Sequence, residues 1–162
     1  MPVTLITGAS AGIGAALARE LARRGHAVGL VARREPLLAE LGEEIRKAGG
    51  KAAWAAADVT DRAQIEAAVR AIEAELGPVD LLVANAGGAA PVAAHKVPVE
   101  SWVSVLRLNV EGVMYSVGAV LPGMLSRGKG HLAAVSSVAG YRGLPASGFY
   151  SGSKAAVTVF LR

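Results

Sequence analysis

Short aliphatic and β-branched runs alternate along this chain with stretches whose apolar positions recur every three or four residues. That alternation predicts βαβ units around a parallel sheet. Val3 to Thr7 reads as a first strand, and Gly12 to Arg24 as a helix with Ile13, Leu17 and Leu21 at i, i+4 and i+8. Ala27 to Ala32 is a second strand, followed by a helix from Pro36 to Ala48 that exits through Gly49-Gly50. Ala52 to Ala57 is a weaker third strand. Asp61 to Leu76 is an amphipathic helix with Ile65, Val69, Ile72 and Leu76 on one face and Gly77-Pro78 after it. Leu81 to Asn85 reads as a buried fourth strand, Pro98 opens a long helix to about Leu121, and Leu132 to Ser136 is a fifth strand. A last helical pattern begins at about Tyr150. The expected architecture is α/β, a Rossmann-like doubly wound parallel sheet in the order 3-2-1-4-5 with right-handed crossovers.

Composition narrows this only a little. With 162 residues, 52% hydrophobic and 19% charged, the chain has the size and balance of one globular domain rather than of a disordered segment. Aromatics are 4%, so the core must be built from Val, Leu, Ile and Ala. Cysteine is absent, which excludes disulfides and thiolate metal sites and fits a reducing compartment. Pro2 to Ile6 leads straight into a glycine turn, unlike a signal peptide, and Arg107, Asn109 and Glu111 interrupt the longest apolar run. The expectation is a cytoplasmic protein with no membrane partner. A net charge of +4 invites a nucleic-acid reading. The basic residues nevertheless alternate with acidic ones, as in Arg33-Arg34-Glu35 and Glu43-Glu44-Ile45-Arg46-Lys47, without an aromatic ladder. A solvated mixed surface is the better account, and no nucleic-acid partner is expected.

The candidate chemistry lies in three places. Thr7-Gly8-Ala9-Ser10-Ala11-Gly12-Ile13-Gly14 joins the first strand to the first helix. Gly8 permits the tight turn, Gly12 a close ligand approach and Gly14 close helix packing, while the helix N-terminus offers N–H groups to a pyrophosphate. A bare strand-to-helix connection is the plainer alternative. At the end of the second strand an acidic residue would meet ribose hydroxyls and repel a 2′-phosphate. Ala32 stands there instead, followed by Arg33 and Arg34, whose guanidinium groups suit a phosphate. An ordinary exposed basic turn is the plainer reading of that pair. Last come Tyr150 and Lys154, four positions apart and so within about 40° on one helical face. A phenol is a weak acid near pH 10, and a neighbouring ammonium favours its anion, so the pair can exchange a proton with a substrate oxygen. Ser137, thirteen positions before Tyr150, can hydrogen-bond the same oxygen. His26, His95 and His131 have no ligand spacing and no metal site is expected. Trp54 and Trp102 read as packing residues, and Met114 and Met124 as helix-face fillers.

Taken together these motifs resemble the short-chain dehydrogenase/reductase family over the whole chain. Asp58-Val59 follows the third strand, Ala84-Asn85-Ala86-Gly87 the fourth, and Leu108-Asn109-Val110 lies on the long helix. Ala84 stands where the family keeps a first asparagine. The resemblance implies a dinucleotide held by Gly8, Ser10, Gly12, Ile13 and Gly14, by Arg33 and Arg34, by Asp58 and Val59, and by Asn85, Ala86 and Gly87. It further implies Tyr150 as acid/base, Ser137 as orienter of the substrate oxygen, Lys154 as modifier of the phenol and ligand of the nicotinamide ribose, and Asn109 as support for a water near Lys154. The implied activity is an NADP(H)-preferring oxidoreductase, with NADPH favoured over NADH, acting on a small ketone or secondary alcohol. Homo-oligomers are expected of the full-length form.

The family continues beyond this point with further strands and a substrate-covering segment, whereas here Arg162 stands eight residues after Lys154. Residues 1–162 are thus expected to be a single but incomplete dinucleotide-binding and catalytic domain, with the family's C-terminal strands absent and an open fifth-strand edge. A dinucleotide-binding module without turnover, serving as a sensor or partner protein, is the alternative.

Overall fold

The computed structural model describes residues 1–89 and 99–162. Pro98, expected to open the long helix, and His95 lie outside the described residues. β1 (Val3–Thr7) and β2 (Ala27–Ala32) are buried along their whole length and pair in parallel, Val3 beside Ala27 and Thr7 beside Val31. β3 (Lys51–Ala56) flanks β2, and β4 (Leu81–Ala84) and β5 (His131–Ala134) extend the other side, giving the order β3-β2-β1-β4-β5. This is the doubly wound parallel sheet that the alternation predicts.

Because side chains alternate across a strand, neighbours Leu5 and Ile6 enter different cores. Ile6 joins Val28, Leu30 and Leu38 beneath α1 (Gly12–Arg23) and α2 (Glu35–Lys47). Leu5 joins Ile65, Ile72 and Val117 beneath α3 (Arg62–Leu76) and α5 (Gly112–Arg127). Asp61 caps α3 rather than beginning it. Its carboxylate accepts the Gln64 N–H at 3.1 Å, and the Gln64 carboxamide reaches back to accept the Asp58 N–H at 3.0 Å. Asp80 accepts the Val3 N–H at 3.0 Å and lies 3.2 Å from Lys129 Nζ, which together hold its carboxyl below the usual range.

Three expectations need correction. The inner face of α1 is Gly14, Ala15 and Ala18, while Ile13 is 66% exposed, because the helix lies too close to the sheet for long side chains. The long helix does not stop near Leu121. It runs as α4 (Val99–Leu106), a π-helical turn (Arg107–Glu111) and α5, passing through Pro122 and ending where Lys129 N–H bonds the Met124 carbonyl at 3.1 Å. β5 ends at Ala134, not Ser136, and the last helix, α6 (Gly148–Phe160), starts two residues before Tyr150. Met124 fills the core as expected, whereas Met114 is 47% exposed. The run Val99–Arg127 is long and apolar enough to cross a membrane by length and composition, yet its inner face packs on α3 and β4.

Candidate active site

The C-terminal ends of β1, β2, β4 and β5 open on a cavity of about 680 Å³, the place where open α/β sheets bind ligands. Gly8, at φ +69°, turns the chain off β1, and a Cβ there would sit 2.8 Å from Ala86 Cα. Gly14 faces inward, where a Cβ would lie 2.5 Å from the Gly8 carbonyl oxygen and 2.6 Å from Asn85 Nδ2. Gly12, at φ +56°, has nothing against its vacant Cβ position and lines the cavity with Ser10, Ala11 and Ile13. No side chain caps the α1 N-terminus at Ala11, so its N–H groups are offered to whatever enters.

Opposite this turn, Thr7 joins β1 to β4. Its hydroxyl, 1% exposed, accepts N–H bonds from both Asn85 and Ala86 at 3.1 Å. The Asn85 amide donates to the Thr7 carbonyl at 3.0 Å and more weakly to that of Gly8 at 3.4 Å. Asn85 therefore holds the glycine turn from behind, while also lining the cavity. Thr7 was quoted in the turn motif, but nothing in its spacing marks this task.

At the far end lie Ala32, Arg33, Arg34, Ala57, Asp58 and Val59. The Asp58 carboxylate accepts from the Thr60 N–H and hydroxyl at 2.9 and 2.8 Å, and its other oxygen stands 3.9 Å from Arg33. Arg34 reaches over to the Ser10 hydroxyl at 3.0 and 3.2 Å and has no carboxylate partner among the described residues. Its positive charge is thus the less compensated of the two.

The other wall is made by β5 and α6. Ser137 does not end a strand. It caps a 3-10 turn (Val138–Gly140), with its Oγ accepting the Ala139 N–H at 3.2 Å. Lys154 is 6% exposed, donates from Nζ to the Val135 carbonyl at 2.7 Å, and lies 6.0 Å from the centre of the Tyr150 ring. Burial holds its ammonium below the ordinary lysine range. The Ser136 hydroxyl donates to the Lys154 carbonyl at 3.0 Å and lies 2.6 Å from Thr158 Oγ1, so this lysine is tied at both ends to the segment that follows β5. Neither Ser136 nor Thr158 stands out in sequence.

Asn109 does not reach the cavity surface. It is fully buried in the π turn, where its Oδ1 accepts the Gly88 N–H at 2.8 Å and its Nδ2 donates to the Gly88 carbonyl and to Ser153 Oγ, both at 2.9 Å. A Cβ on Gly87 would lie 3.0 Å from that Oδ1 and 3.3 Å from Lys154 Nζ. Of the residues expected in the site, Gly14 and Asn109 support its walls and the others line it. Gly88, Leu108, Val135 and Ser136 line it as well. Trp102 stacks on Phe149 at 5.9 Å and Trp54 lies under Arg46 at 4.6 Å, the packing tasks expected of both. Among the described residues no group of three or more His, Cys, Asp or Glu could hold a metal ion.

A glycine-lined helix start at one end and a Ser, a Tyr and a buried Lys at the other thus share one cavity at the C-terminal edge of a doubly wound sheet. Residues 2–162 match the short chain dehydrogenase family, and the chain belongs to it. It is 45% identical over 152 residues to a glycine betaine reductase of Emericella nidulans, covering 94% of this chain and 12% of that protein. An actinorhodin polyketide ketoreductase variant solved with NADPH superposes with a TM-score of 0.93 at 38% identity, over 98% of this chain and 62% of that one. A short chain dehydrogenase/reductase of Burkholderia phymatum in complex with NAD also superposes at 0.93, with 34% identity, over 98% and 57%. The chain therefore spans less than two thirds of each of these proteins.

Proposed function

We propose that residues 1–162 form the dinucleotide-binding and catalytic part of an NADP(H)-preferring oxidoreductase that interconverts a ketone and a secondary alcohol. The observation carrying this reading is that the uncapped α1 start, Arg34, Ser137, Tyr150 and Lys154 all meet one cavity. The residues fit a dinucleotide: Gly12 leaves room for its phosphates, Arg33 and Arg34 face the place of the adenosine end, and Gly87 with Lys154 borders the other end. A bound nicotinamide supplies or takes up the hydride. Tyr150 gives its phenolic proton to the substrate oxygen on reduction and recovers it on oxidation, Ser137 hydrogen-bonds that oxygen, and the ammonium of Lys154 offsets the charge left on the phenol. The substrate is a small carbonyl compound or alcohol.

Neighbours solved with NADPH and with NAD both match this fold, so cofactor choice rests on this chain's own residues. Arg33 is partly compensated by Asp58, whereas Arg34 is not, and Arg34 is therefore the main 2′-phosphate ligand. Calorimetric titration should find NADPH bound about 10- to 100-fold more tightly than NADH, the scale of charge-assisted hydrogen bonds. Arg34→Ala should remove most of that ratio and Arg33→Ala less of it. Equal affinities in the unaltered chain would sink the preference. Turnover in the full-length protein separates an enzyme from a binding module, since the module keeps the affinity and lacks the rate. The full-length protein is read as a cytoplasmic homo-oligomer. The exposed apolar row Val99, Val103, Leu106 and Met114 supports the oligomer, and a monomer in sedimentation would exclude it.

A further inference from the structure

We infer that Ser153 is a positioning residue, whose hydroxyl ties the Asn109 amide to the turn of α6 carrying Tyr150 and so keeps the Gly87–Gly88 wall in register with the phenol. The catalytic part of this inference rests on Tyr150 being the acid/base. Ser153 is fully buried and makes two hydrogen bonds. Its single hydroxyl proton goes to the Tyr150 carbonyl at 2.7 Å, which leaves the oxygen free to accept from Asn109 Nδ2 at 2.9 Å. The remaining Asn109 amide hydrogen goes to the Gly88 carbonyl at 2.9 Å, and Oδ1 takes the Gly88 N–H at 2.8 Å.

Every donor of the carboxamide is thereby used. Rotating the amide by half a turn would set its oxygen against two acceptors, Gly88 O and the Ser153 lone pair, so the hydroxyl fixes the orientation that Gly88 requires. The linkage joins three segments far apart in sequence: the loop after β4, the π turn and α6. Without the hydroxyl, Nδ2 keeps a buried hydrogen with no acceptor, and the π turn and α6 lose their polar link.

The test is amide hydrogen exchange on the 162-residue chain. Ser153→Ala should speed exchange of the Gly88 N–H at least about tenfold, while the Val28 and Leu30 amides of β2, the control for the fold, stay within about twofold. Asn109→Ala should do the same, and the double variant should add nothing beyond it, because both act through one linkage. Unchanged Gly88 exchange in Ser153→Ala, or additive effects in the double variant, overturns the inference. Should Ser153→Ala loosen β2 as well, Ser153→Cys, which keeps the position filled with a far weaker acceptor and donor, is read by the same criteria. In NADPH-dependent ketone reduction by the full-length protein, Ser153→Ala should lower kcat about tenfold with KM for NADPH within about twofold. An unaltered kcat in a chain that turns over overturns the positioning role. A Gly88 response in a full-length protein without turnover leaves the linkage standing and removes the Tyr150 reading instead.

Discussion

At the turn from β1 into α1 the cavity walls are backbone and mostly small side chains, whereas at the β5–α6 end they are polar groups drawn out of water. β1 and β2 are buried along their full length, and the glycine turn presents N–H groups that need no desolvated charge. Behind the other wall lie Asn109 and Ser153 with no exposure, Lys154 and Ser151 with 6% each, and a β5 that is only half-buried. The first end is shaped by close approach and is cheap to keep. The second must satisfy each buried donor and acceptor, and one of them is an ammonium. The glycine turn can thus be made of geometry alone, while proton exchange requires groups that the fold would otherwise leave in solvent.

The comparison can be broken hardest at the phenol. In the full-length protein Tyr150→Phe should lower turnover at least about 100-fold, the usual scale for a lost general acid, and leave NADPH affinity within about twofold. A rate above a tenth of the original would remove the tyrosine from the chemistry. At the geometric end Gly14→Ala should destabilise the chain by roughly 1–3 kcal/mol, because the new methyl meets the Gly8 carbonyl and the Asn85 amide, neither free to withdraw. Thermal unfolding with an unchanged midpoint would show that the turn is looser than its contacts imply.

The smallest effect has the opposite sign. Lys154→Met removes a desolvated ammonium, at the cost of leaving the Val135 carbonyl unpaired. It should stabilise the ligand-free chain by about 1 kcal/mol near neutral pH while weakening NADPH binding. Burial depresses the folded-state pKa of this lysine. Between that value and the unfolded value near 10.4 the unfolded chain binds more protons, so the unaltered chain gains stability as pH rises. The advantage of Lys154→Met should therefore shrink toward alkaline pH. An advantage that grew with pH would mean that the ammonium is not the source of the cost.

How far the sequence foretells the molecule divides along the same line. The strand order, the glycine turn, and the meeting of Arg33, Arg34, Ser137, Tyr150 and Lys154 in one cavity were legible, because spacing and residue type carry them. On α1 the spacing points to Ile13, Leu17 and Leu21; Leu17 and Leu21 do pack at the edge of the core, but Ile13 faces solvent and the fully buried positions are smaller. Hydrophobicity points to the largest apolar residues, whereas a helix pressed against a sheet selects the smallest, here Gly14, Ala15 and Ala18. The tasks of Thr7, Ser136, Ser153 and Thr158 are not legible, because a lone hydroxyl residue has no periodicity that betrays a buried partner. The apolar pattern places a helix end near Leu121, yet α5 runs on through Pro122, with Val117, Val120 and Met124 in the core.

The π turn at Arg107–Glu111 has a consequence for insertions and deletions. A π turn holds one residue more than an α turn, and the flanking helices keep their phase around it. Elsewhere between Val99 and Arg127, losing one residue would rotate one flank by about 100° and take either the α4 or the α5 face out of its packing. Within Arg107–Glu111 the same loss closes the bulge into regular helix and leaves both flanks in place. The five-residue stretch is thus where this helix can shed a codon and still fold, and what goes with that codon is the hold of Asn109 on Gly88.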